Sequence, residues 1–181
     1  TSGPSSLAWS ADGKALYYSM RGRIWLQRVD GDEAEQVTAG DGYDYQPDLS
    51  PDGRYLVFSR RLDDAIELVI RDLKSGKESP LTQDGAGNLE ARWSPDGKRI
   101  AFISDVSGEE QIHLIDQDGF GEPEQISTAF RGQLIAPEWS PDGKRLALSD
   151  KDGRIWVLAL QDRSLVEVAR ECEHERDSDQ H

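Results

Sequence analysis

The sequence predicts an all-β fold: four-stranded antiparallel blades stacked radially, a β-propeller with four blades in this chain. Three observations predict it. The first is a fourfold internal repeat. Trp9-Ser10-Ala11-Asp12-Gly13-Lys14 returns at residues 49–54, 93–98 and 139–144, and its Asp advances from Asp12 to Asp52, Asp96 and Asp142 in steps of 40, 44 and 46 residues. Self-similarity at that period marks a solenoid, a propeller or an array. The second is that each period holds four short strand-like runs separated by turn residues. The third is a gradient of hydrophobicity across those runs. The middle two are almost continuously apolar, as in Tyr55-Leu56-Val57-Phe58 and Ile155-Trp156-Val157-Leu158, whereas the last is polar and includes Pro80. A strand covered on one face alternates, but one sandwiched on both faces need not. Small sheets covered on both faces, with a solvated outer strand, are what radial stacking requires.

Each unit parses into strands A to D. Strand A is expected at residues 6–9, 46–49, 89–93 and 135–139, and strand B at 15–18, 55–58, 99–103 and 145–148. Strand C is expected at 23–26, 66–70, 111–115 and 154–158, and strand D at 35–38, 78–82, 124–127 and 164–168. The units run over about residues 5–40, 41–84, 85–130 and 131–170, and the acidic residues 171–181 are expected to be a disordered tail. The repeated tetrad between A and B is turn chemistry. Pro51, Pro95 and Pro141 preset φ for a type I turn, the Asp carboxylates can bond nearby amides, and Gly53, Gly97 and Gly143 accept positive φ. The four Asp residues are therefore turn-formers on separate hairpins and not a carboxylate cluster. Leu62, Ile66, Val69 and Leu73 fall at helical spacing, but register with Ile24, Ile112 and Ile155 makes Ile66 part of a strand. Residues 163–175 have no later repeat to check them, so strand and short helix both stay open.

The composition narrows the partners. The 181 residues include 35 acids against 21 Lys and Arg, a formal charge of −14, which repels phosphate backbones and anionic membranes. Neither nucleic acid nor membrane insertion is expected, because no apolar run approaches the length of a membrane span. Cys172 is the only cysteine, so no intrachain disulfide forms. Its spacing to His174 and His181 matches no zinc pattern. Residues 1–6 are small and polar, and no signal peptide is expected within them; a secreted mature chain would look the same.

The segment Trp93-Ser94-Pro95-Asp96-Gly97-Lys98-Arg99-Ile100-Ala101-Phe102, with its three relatives and with residues 42–48 and 88–93, resembles the TolB-like (WD40-like) β-propeller repeat. The resemblance runs over about residues 5–168. It is also similar to propellers attached to amidohydrolase-like or peptidase enzymes. It implies blades around a channel, a scaffold that binds protein or gates access, catalysis (if any) on another domain, and a periplasmic or secreted compartment. Propellers of this kind usually have roughly six to eight blades, and four units depart from that. Two chains could complete an eight-bladed ring, four blades could close alone, or the units belong to a longer propeller. An open arc would leave two apolar faces bare, which favours closure or a homodimer.

No nucleophile elbow, zinc-binding helix motif or phosphate loop occurs, and neither a catalytic activity, a cofactor nor a metal is expected. Gly85-Ala86-Gly87-Asn88 lacks the third Gly and the helix of a dinucleotide site and reads as a blade-to-blade loop. His113 has no positioned partner for a triad. Trp9, Trp93 and Trp139, with Leu49 as the fourth, read as wedges between blades, because repeated positions usually serve packing between repeats. Trp25 and Trp156 read the same way. Binding is expected where the repeats differ, in the loops entering strand A at one mouth of the channel. The candidates are Tyr43, Asp44, Tyr45, Gln46, Asn88, Glu90, Arg131 and Gln133. The expected function is a non-catalytic module that binds protein through that mouth or the rim. The alternatives are a propeller accessory to a hydrolase and a self-assembling propeller without ligand.

Overall fold

The computed structural model describes residues 5–119 and 121–170. The expected tail, with Cys172, His174 and His181, lies outside the described residues. Sixteen strands form four antiparallel sheets, each joined in simple sequential order. The first blade is β1 (Ser5–Trp9), β2 (Ala15–Met20), β3 (Arg23–Arg28) and β4 (Ala34–Gln36). The second is β5 (Tyr43–Leu49), β6 (Tyr55–Leu62), β7 (Ala65–Asp72) and β8 (Glu78–Pro80). The third is β9 (Asn88–Trp93), β10 (Arg99–Ser104), β11 (Gln111–Asp116) and β12 (Glu124–Gln125). The fourth is β13 (Leu134–Trp139), β14 (Arg145–Asp150), β15 (Arg154–Ala159) and β16 (Leu165–Arg170). The stretch left open between strand and helix is thus a strand as far as Arg170. No helix long and apolar enough to cross a membrane occurs among the described residues.

The continuous apolar runs of the middle blades are two alternating sets. In β6, Leu56 and Phe58 enter the core shared with Ala8, Tyr17 and Ile24 of the first blade, while Val57 enters the core shared with Trp93, Ile100 and Phe102 of the third. In β10, Ala101 and Ile103 turn the other way, toward Leu134, Leu146 and Leu148 of the fourth blade. Successive residues of a strand point to opposite faces, so covering both faces removes the alternation. The end blades show the converse: β2 and β14 alternate buried and partly exposed residues, because only one face is covered. Three cores join the blades in sequence, and none joins the first blade to the fourth. The described residues form an arc.

The repeated hairpin is the same in all four copies. The Asp carboxylate accepts from the Ser hydroxyl two residues earlier, at 2.6–2.7 Å in the second blade and in the others alike, and from the amide two residues later. These bonds, the Ser hydroxyl's first, hold all four carboxyls below the usual carboxylate range. The turn Gly residues have φ of 67–70°. Each tip also packs on the next. A β-carbon on Gly53 would lie 3.0 Å from Ala11, one on Gly97 3.5 Å from Pro51 and one on Gly143 3.8 Å from Pro95, whereas Gly13 has no neighbour within 4 Å. The proline thus has a second role, as the seat for the following tip.

One register expectation needs correction. Ser19 pairs with Ile24, Ser59 with Leu68, Ile103 with Ile112 and Ser149 with Ile155. The residue equivalent to Ile24 is therefore Leu68, and Ile66 pairs with Arg61 beyond it. The cause is local: β6 and β7 are eight residues each, so their hairpin is longer than its counterparts. Strand D also ends earlier than expected in the first three blades, whereas in the fourth it runs on to Arg170. Thr38, Thr82 and Ser127 leave the ladder, and their hydroxyls accept the amides of Ile24, Leu68 and Ile112 at 2.8–3.0 Å.

Candidate functional site

The first strands of the blades touch in sequence, β1 to β5, β5 to β9 and β9 to β13, so they form the inner edge of the arc. The antiparallel topology gathers the blade-to-blade connections and the B–C hairpins at one end of that edge.

Each connection is gripped by the strand C residue directly before the Ile24, Leu68 and Ile112 position. Arg23 donates to the carbonyls of Gly22, Gly40 and Gly42. Glu67 accepts from the Thr82 hydroxyl at 2.6 Å and the Gly85 amide at 2.9 Å. Gln111 donates to the Phe130 carbonyl at 3.0 Å and accepts from Ser127 at 2.9 Å. One position thus uses a cation, an anion and an amide for one task, matching whichever backbone groups the loop presents. In the fourth blade Arg154 turns back onto Asp150 and Asp152 of its own hairpin, at 2.9 and 2.7 Å.

Strand A bends at a bulge, and its register shifts in every blade. Ser6, Gln46 and Glu90 occupy this position with φ of 51–54°. Left-handed geometry is unfavourable for non-glycine residues and persists only where the surroundings enforce it. At Gln46 and Glu90 the two residues bond each other across the blade boundary. The Gln46 amide donates to the Glu90 carboxylate, the Glu90 backbone amide donates back to Gln46 at 3.1 Å, and Ser59 donates to Gln46 at 3.2 Å. Arg92 pairs with Glu90 at 2.8 Å and approaches Glu138 at 4.0 Å. The Asp48 carboxylate accepts the Trp93 amide at 2.8 Å; burial pushes its pKa up to about 6, against the pull of that amide and of Arg92.

Of the expected residues, Tyr45, Gln46 and Glu90 come together. Tyr45 lies edge-on to Tyr43, with ring centroids 6.2 Å apart, and burial together with the Glu90 charge raises its phenol, with Arg61 opposing. Tyr43 is 48% exposed and packs over Gly22. Asp44 and Asn88 occupy equivalent positions and are fully buried. Arg60 holds Asp44 through two bonds of 2.6 and 3.0 Å and extends to Glu78 at 2.7 Å. Asn88 donates to Asp84 at 2.9 Å and to Glu67 at 3.3 Å, leaving its Oδ1 unpartnered. Gln133 is exposed, and Arg131 caps the carbonyls of Thr128 and Phe130 at 3.1 and 2.7 Å.

The sequence reading missed Asp48, Arg92 and Glu138. Each directly precedes the repeated Trp or Leu, a position where the charge changes while its neighbours repeat, and that contrast was the available signal. His113 stands at the Trp25 and Trp156 position of strand C and stacks on Phe102 at 5.5 Å. Burial lowers its pKa. Among the described residues no cluster of three His, Cys, Asp or Glu is placed to hold a metal. The inner edge carries hydrogen-bond donors, acceptors and aromatic surface.

A family model described as the TolB beta propeller domain matches residues 4–129. The chain belongs to that family. Crystallographic TolB from Acinetobacter baumannii superposes with a TM-score of 0.79 at 26% identity, over 93% of this chain and 44% of that one. An oligogalacturonate lyase in complex with manganese shares the fold, with a TM-score of 0.72 at 20% identity over 96% of this chain and 56% of that one. Agrobacterium fabrum Atu1656 is 29% identical over 137 residues, 69% of this chain and 46% of its own length. Two peptidase relatives also match. Dipeptidyl-peptidase 5 of Porphyromonas gingivalis is 26% identical over 57% of this chain and 18% of its own. The uncharacterized peptidase YuxL of Bacillus subtilis is 35% identical over 60% and 17%. This TolB-like chain spans less than half the length of the curated relatives it matches.

Proposed function

We propose that this TolB-like chain is a non-catalytic interaction module that binds a protein partner at the connection end of its inner edge. The observation that carries the reading is the strained Gln46–Glu90 pair, flanked by Tyr43, Tyr45 and Arg92. Backbone strain held by contacts between blades concentrates at sites used for recognition, and exposed tyrosine beside a charged pair is a common anchor for protein surfaces. A photo-crosslinking residue at Tyr43, and in parallel at Lys98 on the opposite end, tests it in extract of the source cells. A discrete adduct from position 43, lost in Glu90→Ala, is expected. No adduct, or the same adduct from both positions, contradicts the reading.

A second reading is favoured by the peptidase relatives: the propeller serves as an accessory to a hydrolase and filters what reaches its catalytic domain. Its test is the reading frame around the chain, where a hydrolase domain decides for it. Self-association is the third, supported by the bare ends of the arc. Leu7 and Trp9 are exposed on the first blade, and Ile155, Val166 and Val168 on the last. A second copy could cover both faces in a two-fold ring. Light scattering that gives twice the chain mass supports this, and one chain mass at all concentrations excludes it.

A further inference from the structure

The opposite end of the molecule, where the A–B hairpins and C–D turns gather, carries a feature that the recognition site does not use. A groove of about 440 Å³ opens there between the third and fourth blades, lined by Arg99, Lys144, Arg145, Ala159, Leu160 and Asp162. A second cavity of about 260 Å³ adjoins it, and the two share Arg99 and Gly143. Three cations converge on one groove of a chain whose formal charge is −14.

The repeat explains why the groove exists. In the third blade Arg99 stands across the ladder from Asp116, and in the second Tyr55 stands across from Asp72. Asp72 there takes the cation of its own hairpin, Arg54, at 3.1 Å. The corresponding pair in the fourth blade is Arg145 and Ala159. The alanine removes the carboxylate and its volume together, and opposite charges across a ladder otherwise stabilise each other. None of Arg99, Lys144 and Arg145 makes an ion pair among the described residues.

The nearby carboxylates do not reach ion-pair distance of these cations: Asp116 faces Arg99 across the ladder without pairing with it, and Asp96, in the adjoining cavity, accepts the Ser94 hydroxyl at 2.6 Å and the Lys98 amide at 3.1 Å. Asp142 accepts the Ser140 hydroxyl at 2.7 Å and the Lys144 amide at 3.1 Å, and feels the charges of Lys144 and Arg145 only beyond ion-pair distance. Asp162 accepts the Ser164 amide at 3.0 Å. Arg99 is held over the Trp139 ring, 5.7 Å from its centroid, which fixes one guanidinium at the groove in advance of any ligand.

We propose that this groove binds an organic oxyanion, a carboxylate or phosphate head on a short body. The cations take the head, Leu160 and the stem of Arg99 line the body, and the volume exceeds what an inorganic ion needs. At the position of Ala159 the second and third blades carry Asp72 and Asp116.

Titration of the ¹⁵N-labelled chain with succinate and, separately, with glycerol phosphate tests this. Saturable shifts confined to the amides of Gly143, Lys144, Leu160 and Gln161 and to the Trp139 indole are expected with at least one probe, and the probe that saturates identifies the head group. Ala159→Asp supplies the acid that the second and third blades carry at this position, keeps the melting temperature, and is expected to weaken binding at least about tenfold. Arg145→Gln is expected to do the same and serves should Ala159→Asp fail to fold. No saturable shift with either probe, shifts spread over every surface lysine and arginine, or undiminished binding by the variants overturns the proposal.

Discussion

Asp48 shows how one residue links packing to pH. Its carboxylate is placed between blades, where burial raises its pKa to about 6 from the ordinary 3.8. A raised folded-state pKa means that the folded chain binds more protons than the unfolded chain between those two values. The group's contribution is therefore most favourable below about pH 4 and is lost as pH rises through 6. Asp48→Asn removes that dependence while keeping an acceptor for the Trp93 amide. The variant is expected to be more stable than the parent by about 3 kcal/mol at pH 8, with the difference vanishing near pH 4; urea midpoints across that range check it. Asp44 is the contrasting case. It lies as deep but is matched by Arg60 through two bonds, so Asp44→Ala is expected to cost about 2–3 kcal/mol by leaving the guanidinium with Glu78 alone. The sequence could mark Asp44 as polar and unrepeated but not as buried, because its partner comes from the far end of the next strand. A loop composition that reads as a binding surface can equally be an internal clasp.

At the scale of the element, the A–B hairpin was the most legible part of the chain. Its Ser, Asp and Gly act within six residues, so local chemistry was enough to derive the turn. What it could not reveal was the stacking of one tip on the next, a contact between residues 42–48 apart. Ala11 is the departure from the pattern. The Ala11 position is occupied by proline in the other three tips, and fixing φ there lowers the entropy of the unfolded chain. Ala11→Pro is expected to stabilise by about 0.4–1 kcal/mol, read as a rise in melting temperature; a fall would show that the first tip departs from the other three. The longer second hairpin was illegible for the opposite reason. Two extra residue pairs shift the register without disturbing the apolar run, so Ile66 could stand for Leu68 until the ladder was seen.

The whole molecule is governed by what each blade finds beside it. Trp93 stacks on Tyr55 of the preceding blade, with ring centroids 6.4 Å apart. Trp139 donates to the Arg92 carbonyl of its preceding blade at 3.0 Å, and Leu49 packs on the core shared with the first. Trp9 has the same local sequence and no preceding blade, and it is 58% exposed where Trp93 is 6%. The sequence therefore predicted the wedge correctly but could not say that one wedge lacks a seat, since that depends on neighbours and not on the repeat. Denaturant unfolding of Trp93→Ala and Trp9→Ala, at a concentration where scattering gives one chain mass, tests this most directly. The account predicts a loss of about 3–5 kcal/mol for Trp93→Ala and a change within about 0.5 kcal/mol for Trp9→Ala. Equal losses at the two positions would contradict it.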